Sequence, residues 1–210
     1  MCSSDLGLFV GRLIHMEPGL LALAGGVAMA LVNRREAHEV LNYVEWNTIF
    51  FFVGLFMLIF GLEHNGVFEM MGRELLHVTG GNLLVTALAI LWFSAIASAI
   101  VDNIPLVMAM IPLVQSMTPV FARQMGLEGQ EALVAQQISS PLFWSLALGA
   151  CLGGNGTLVG ASANVVISQI AKRNNHGFTF WEFSKLGFPM MILSLVLCTG
   201  YIYLRYFFVR

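Results

Sequence analysis

Apolar runs separated by short polar segments dominate the chain. A helix of about 20 predominantly apolar residues crosses the bilayer core, so such runs predict membrane helices. Residues 47–62 and 82–101 give the strongest signals, whereas residues 20–32 are short and need their flanks or a tilt. The remaining apolar runs are residues 106–114, 142–152, 158–171 and 188–203. The pattern predicts an all-α membrane protein, a polytopic helical bundle.

Polar segments predict the connections between these runs. Residues 61–80 and 119–140 are polar enough to be loops, the first with an interfacial turn at residues 67–77. Residues 1–19 are predicted to be a truncated or linker N-terminus, because their short apolar stretch is too short to cross a bilayer. The transmembrane part is expected to be residues 20–210.

Composition agrees with a lipid environment. The chain is 58% hydrophobic and 10% charged, with a mean hydropathy of +0.79, whereas soluble domains carry about 25% charged residues. A net charge of -2 without a basic tail argues against a nucleic-acid partner. We expect an integral protein of the plasma (inner) membrane of a prokaryote.

Asp102 is the one carboxylate that falls between two apolar runs, and Asn103 and Pro105 follow it at once. The four residues 102–105 are too few to join two full crossings through an aqueous loop. They predict a re-entrant hairpin, or a broken helix, whose tip lies inside the membrane. At such a tip Asp102 can hold Na⁺ or a proton. The alternative is that Asp102 only caps the second helix, with Pro105 in its first turn.

A second interruption lies at residues 153–157, where three glycines surround Asn155 and precede Thr157. Glycine costs a helix about 1 kcal/mol relative to alanine, so the segment is predicted to unwind. Its polar character continues at Ser162 and Asn164. The alternative is helix packing, because the pairs 149/153 and 156/160 have the spacing of small-residue contacts. Packing does not account for Asn155 and Thr157.

Two interrupted helices are the sequence pointer to a transporter binding site. Transporters with inverted repeats use such interruptions in both halves, and this chain contains one set. The sequence offers no nucleophile–base pair, no metal-spaced cysteines and no cofactor motif, so neither an enzyme nor a cofactor is expected.

The motifs resemble a known group of transporters. Residues 98–105, with Met110 and Pro112 behind them, look like the hairpin motif of the arsenite-permease/NhaD-type and melanosomal P-protein-like transporters. Residues 149–166 are closely similar to the second signature of this group, and residues 45–48 and 182–190 also fit. The resemblance covers most of residues 20–210, which correspond to the C-terminal half of such proteins.

The resemblance implies a citrate-transporter-like domain of the ion transporter superfamily, with two inverted repeats and an elevator or rocking cycle. This chain would be one repeat, and its partner a missing N-terminal repeat or a second copy in a homodimer. The ion-binding positions that the resemblance carries over are Asp102, Asn103, Pro105, Asn155, Gly156, Thr157, Ser162 and Asn164.

The expected function is secondary active transport of a small ion, coupled to a H⁺ or Na⁺ gradient. The ion would be an anion or oxyanion such as arsenite, or a carboxylate. One alternative is Na⁺/H⁺ antiport with Asp102 as the titrating group. Another is a non-transporting membrane scaffold subunit, against which the two interruptions speak, since a scaffold gains nothing from unsatisfied backbone in lipid.

Overall fold

The computed structural model describes residues 18–32, 38, 42 and 46–208. The chain divides into two compact units, Met1–Val53 and Gly54–Arg210. Every element in the described ranges is helical, which confirms the predicted all-α membrane fold.

The first unit contains helix α1, Pro18–Val32, and the start of helix α2, Trp46–His64. Both match the predicted runs to within two residues at each end. Proline at the first position of α1 costs the helix no hydrogen bond, because that N–H group has no partner inside a helix. Apolar side chains such as Leu31, 74% exposed, cover α1, as expected for a helix surrounded by lipid.

The second unit opens with the remainder of α2. Helix α3, Val67–Val78, follows after a bend of 68°. The prediction of a loop at residues 61–80 is therefore wrong, although the turn expected at residues 67–77 coincides with the helix. Gly66 makes the bend possible with a φ of 69°, a conformation that glycine adopts without steric cost. Buried Phe68 and Gly72 form the inner face of α3. Its charged residues lie on the other face, so the segment has the period of an amphipathic helix, a signal that the prediction of a loop overlooked.

Helices α4, Leu83–Ser98, and α7, Ser140–Gly153, form the most extensive contact in this unit. The Asn82 side chain caps α4 by accepting hydrogen bonds from the backbone N–H groups of Leu84 and Val85. Glycines of α7 face α4 directly. A Cβ at Gly149 would clash with the Leu91 carbonyl oxygen, and one at Gly153 with the backbone of Ala95. The packing explanation for these two glycines is confirmed.

Helix α5, Asn103–Gln124, is longer than the predicted arm at residues 106–114. It continues through Pro112 and Pro119, each of which removes one backbone hydrogen bond. With 22 residues it spans about 33 Å at 1.5 Å per residue, enough to cross a bilayer. The remainder of the predicted loop 119–140 is also largely helical, with the short helix α6, Glu131–Val134, and the π-helical segment π1, Ala135–Ser139.

The last two helices differ from their predicted runs mainly at their starts. Helix α8 is Ser162–Arg173, four residues later than the apolar run at 158–171. Helix α9 is Phe180–Ile202, eight residues earlier than the run at 188–203, and the π-helical segment π2, Tyr203–Phe208, extends it. A capping box between Thr179 and Glu182 fixes the early start of α9.

Large apolar side chains remain exposed on the outer surface of the second unit. Examples are Leu186 at 76%, Phe60 at 69% and Leu197 at 67%. Two helical segments of the described residues, Asn103–Gln124 and Phe180–Phe208, are long and apolar enough to cross a membrane, and the bent pair α2–α3 can provide a third. Lipid is the solvent that such a surface requires.

The close contact of α4 and α7 predicts a strong effect of a small substitution. Gly153→Ala would place Cβ 2.6 Å from the Ala95 Cα atom, so the two helices must separate. We expect a loss of about 1–3 kcal/mol of stability from overpacking, measured as a lower melting temperature in detergent. Gly200→Ala is the matched control, because its Cβ meets no atom of another described element within 4 Å. Equal melting temperatures for the two variants would contradict the packing.

Candidate ion-binding site

The connection between α4 and α5 forms a tight tip. Helix α4 ends at Ser98, a turn follows, and Asp102 takes the N-cap position of α5. Its side chain makes no capping hydrogen bond. The Oδ1 atom is buried, and no described residue donates to it. The carboxylate thus occupies the capping position without making the capping hydrogen bond.

The predicted interruption after α7 is present. Helix α7 ends at Gly153, a 3₁₀ turn covers Gly154–Gly156, and Thr157 is extended with φ −137° and ψ 162°. Residues 158–160 turn back before α8 begins at Ser162. The sequence signal of clustered glycines with Asn155 and Thr157 therefore located a real break between two helices.

Hydrogen bonds join this break to the tip of α4. The Thr157 hydroxyl donates to the Ala99 carbonyl oxygen at 2.5 Å, and the backbone N–H of Gly160 donates to the Thr157 hydroxyl at 3.0 Å. One residue before Ala99, the buried Ser98 hydroxyl donates to the Ala150 carbonyl oxygen of α7 at 2.5 Å. Thr157 thereby satisfies a carbonyl that the end of α4 leaves without an intrahelical partner.

Asn164, on the first turn of α8, donates hydrogen bonds to the unwound segment. Its side-chain amide donates to the carbonyl oxygens of Gly154 at 2.9 Å and of Thr157 at 3.1 Å. Both carbonyls belong to the unwound segment, where no helix can supply a donor. Asn164 thus ties the two ends of the break together.

The other predicted site residues differ in their burial and in their contacts with the junction. Gly156 is buried, and a Cβ there would lie 2.6 Å from the Met191 sulfur and 3.5 Å from Ala99. Asn155 and Ser162 are exposed, while Asn103 and Pro105 are half-buried in the first turn of α5. The structure therefore brings Gly156 and Thr157 against Ala99 at the end of α4, and Asn164 bonds to the same unwound segment. Asp102 lies three residues beyond Ala99, within about 11 Å of chain.

Three residues of this junction were not predicted as site residues. Ser98 lies within the hairpin motif and repeats the buried position of Ser94, so two serines four residues apart in an apolar run were an available signal. Met191 and Gly187 of α9 pack against Gly156 and the Asn155 carbonyl oxygen, respectively. An apolar residue within an apolar helix gives no such signal.

Two helices begin at this junction without a side-chain cap. The N-cap residue of α5 is Asp102 and that of α8 is Ala161, and neither makes a side-chain capping bond. The N-terminus of a helix carries roughly half a positive charge and unpaired N–H groups, which attract anions. Carboxylate and carbonyl oxygens are the ligands of hard cations. The junction thus offers groups for an anion and, at Asp102, an oxygen for Na⁺ or a proton.

Comparison with known proteins identifies the family of the chain. The family model described as citrate transporter matches residues 4–138 of this chain. An uncharacterized transporter of Mycobacterium tuberculosis (strain ATCC 25618 / H37Rv) is 40% identical over 194 residues, which are 92% of this chain and 42% of that protein. The 46 kDa membrane protein of Mycobacterium leprae is 35% identical over 193 residues, 92% of this chain and 42% of its own length.

A eukaryotic relative is the P protein of Homo sapiens, 38% identical over 187 residues, 86% of this chain and 21% of that protein. The chain spans less than half the length of each of these curated relatives. The family model covers more than half of the chain, and the resemblance seen in the motifs is confirmed. The chain belongs to the citrate transporter family.

Proposed function

We propose that the chain is the C-terminal repeat of a secondary active transporter, not an enzyme, and that it moves a small anion or oxyanion coupled to H⁺ or Na⁺. Residues 1–19 would lead into this repeat, which residues 20–210 form. The observation that carries the proposal is the junction itself: two uncapped helix starts and a buried, unpartnered carboxylate oxygen within a few residues of the Thr157–Ala99 hydrogen bond.

The anion would bind at the helix starts. The backbone N–H groups of Asn103 and of Ser162 lie in the first turns of α5 and α8, where no side chain caps the helix. Proline at position 105 has no N–H, so the donors of α5 are confined to its first positions. The exposed side chains of Asn155 and Ser162 would complete a polar lining for an oxyanion such as arsenite, or for a carboxylate.

The coupling ion would bind at Asp102. Burying a charged group is costly unless it is paired and hydrogen-bonded, and the Oδ1 atom of Asp102 lacks a donor among the described residues. A proton or Na⁺ would remove that cost. Occupation of Asp102 by a cation would also remove a negative charge beside the anion, so the two ions would bind cooperatively.

Na⁺/H⁺ antiport is the second candidate, and the same Asp102 geometry favours it. In that case Asp102 would bind Na⁺ and H⁺ in turn, and the uncapped helix starts would have a structural role. A complete transporter would place this repeat beside a second one, from the same natural protein or from a second copy in a homodimer. We propose the plasma (inner) membrane of a prokaryote as its location.

The decisive experiment measures flux into proteoliposomes that contain the natural protein with this chain. Na⁺-driven proton movement and uptake of labelled arsenite or dicarboxylate are recorded side by side. Uptake of an anion driven by the gradient supports the first candidate. Proton movement that follows Na⁺ without anion uptake supports antiport. If the folded protein shows neither activity, both candidates are contradicted.

Asp102→Asn keeps the size of the side chain but removes its charge and its titration. We expect gradient-driven flux to fall by about tenfold or more, the factor that 1.4 kcal/mol produces, while anion binding persists. Glu69→Gln is the control, because Glu69 is an exposed carboxylate on α3. Normal coupled flux in the Asp102→Asn protein would show that the coupling ion binds elsewhere.

Thr157→Val is nearly isosteric and removes the hydroxyl that joins the break to α4. The Ala99 carbonyl and the Gly160 N–H both lose a partner, which should destabilise the protein by about 1–3 kcal/mol and lower transport with it. The melting temperature and flux are measured together. Thr118→Val is the matched control, since its hydroxyl bonds only to the Val114 carbonyl of its own helix at 3.0 Å. Equal melting temperatures for the two variants would contradict this role of Thr157.

A further inference from the structure

A polar cavity lies at the start of α4, at the end of this helix opposite to the ion-binding junction. Its volume is about 430 Å³, and its polar lining is made by Asn82, Gln136, Gln137, Ser140 and Arg205. Helix α4 has 16 residues, so its two ends are about 24 Å apart at 1.5 Å per residue. The cavity is therefore separate from the proposed transport site.

Two π-helical segments meet at this cavity. Segment π1 contributes Gln136 and Gln137, and segment π2 contributes Arg205 together with two aromatic residues, Tyr206 and Phe207. π-helices account for well under 1% of residues in soluble globular proteins and are frequently found at functional sites. The presence of two π-helical segments in the lining of one cavity is independent of the polar composition of the cavity, and it points to a ligand.

The charge of the cavity selects an anion. Arg205 is its cationic residue, and no carboxylate lines it. Within residues 46–208 the ion pair present is Arg123–Glu128, whereas Arg205 contacts the Tyr206 ring at 5.6 Å. A guanidinium group donates two parallel hydrogen bonds to phosphate oxygens, and the Gln136 amide adds a neutral donor.

The location favours a lipid as the source of the phosphate. Arg205 lies in the last turns of Phe180–Phe208, a segment long and apolar enough to cross the membrane. Aromatic residues at such ends lie at the level of the lipid head groups, and Tyr206 and Phe207 do so beside Arg205. Apolar Leu83 and Leu84 in the same lining would contact the upper part of an acyl chain.

We propose that this cavity binds a phosphate group, supplied by the head group of an anionic phospholipid. Binding would hold the start of α4, segment π1 and the end of α9 together at the membrane surface. Since α4 carries the transport junction at its other end, lipid occupancy would stabilise the helix that positions this junction.

The test uses the full chain purified in detergent and titrated with phosphatidylglycerol, with phosphatidylcholine and with inorganic phosphate, while the melting temperature is followed. We expect phosphatidylglycerol to raise the melting temperature and phosphatidylcholine to have little effect. Arg205→Gln should weaken the apparent affinity for phosphatidylglycerol about tenfold, since it removes a charged hydrogen-bond donor. Gln136→Ala should weaken it less, because a neutral donor is lost.

Arg123→Gln is the matched control, since Arg123 is exposed and pairs with Glu128 away from this cavity. Far-UV circular dichroism verifies that each variant is folded. If Arg205→Gln does not fold, Arg205→Lys replaces it, because lysine keeps the charge but cannot donate two parallel hydrogen bonds to the phosphate, and a smaller loss of affinity is then expected. Stabilisation by inorganic phosphate that also requires Arg205 would support the site with a soluble ligand. Equal responses to phosphatidylglycerol in the wild type, Arg205→Gln and Arg123→Gln proteins would overturn the proposal.

Discussion

The close approach of α4 and α7 is the constraint on which the rest of the second unit depends. Two glycines, Gly149 and Gly153, let α7 lie against the backbone of α4 at Leu91 and Ala95. No larger residue fits there, so the contact fixes the register of the two helices. That register brings the end of α7 level with the end of α4. The unwound segment after Gly153 therefore begins where the tip of α4 can bond to it.

An unwound segment within a membrane must find partners for its backbone groups, because lipid supplies none. Here the partners come from side chains on both sides of the break. Asn164 donates to two carbonyls of the segment, and Thr157 uses its hydroxyl once as a donor and once as an acceptor. These bonds explain why the chain tolerates glycine, asparagine and threonine in this segment. The glycines allow the close packing, and the two polar residues satisfy backbone groups that the break exposes.

The sequence predicted the features that depend on neighbouring residues better than those that depend on contacts between residues far apart in the chain. Local signals were sufficient for the break at residues 153–157 and for the tip at Asp102, since glycine, proline and an isolated charge act on their own segment. The predictions failed for Val67–Val78 and for the helix through Pro119. In α3 the amphipathic period was present in the sequence, but its charged residues led to the prediction of a loop. In α5 tertiary packing outweighs the cost of the prolines.

The meeting of tip and break lay beyond sequence reasoning, because the Thr157–Ala99 bond joins residues 58 positions apart. This hydrogen bond also bears on the interpretation of Asp102, which lies three residues beyond Ala99. Around this junction the carbonyls of Ala99, Ala150, Gly154 and Thr157 all accept side-chain hydrogen bonds. The Oδ1 atom of Asp102 is buried without a donor among the described residues, so this oxygen takes no part in the hydrogen bonds that hold the junction together. We propose that a proton or a cation compensates it, as a coupling site requires.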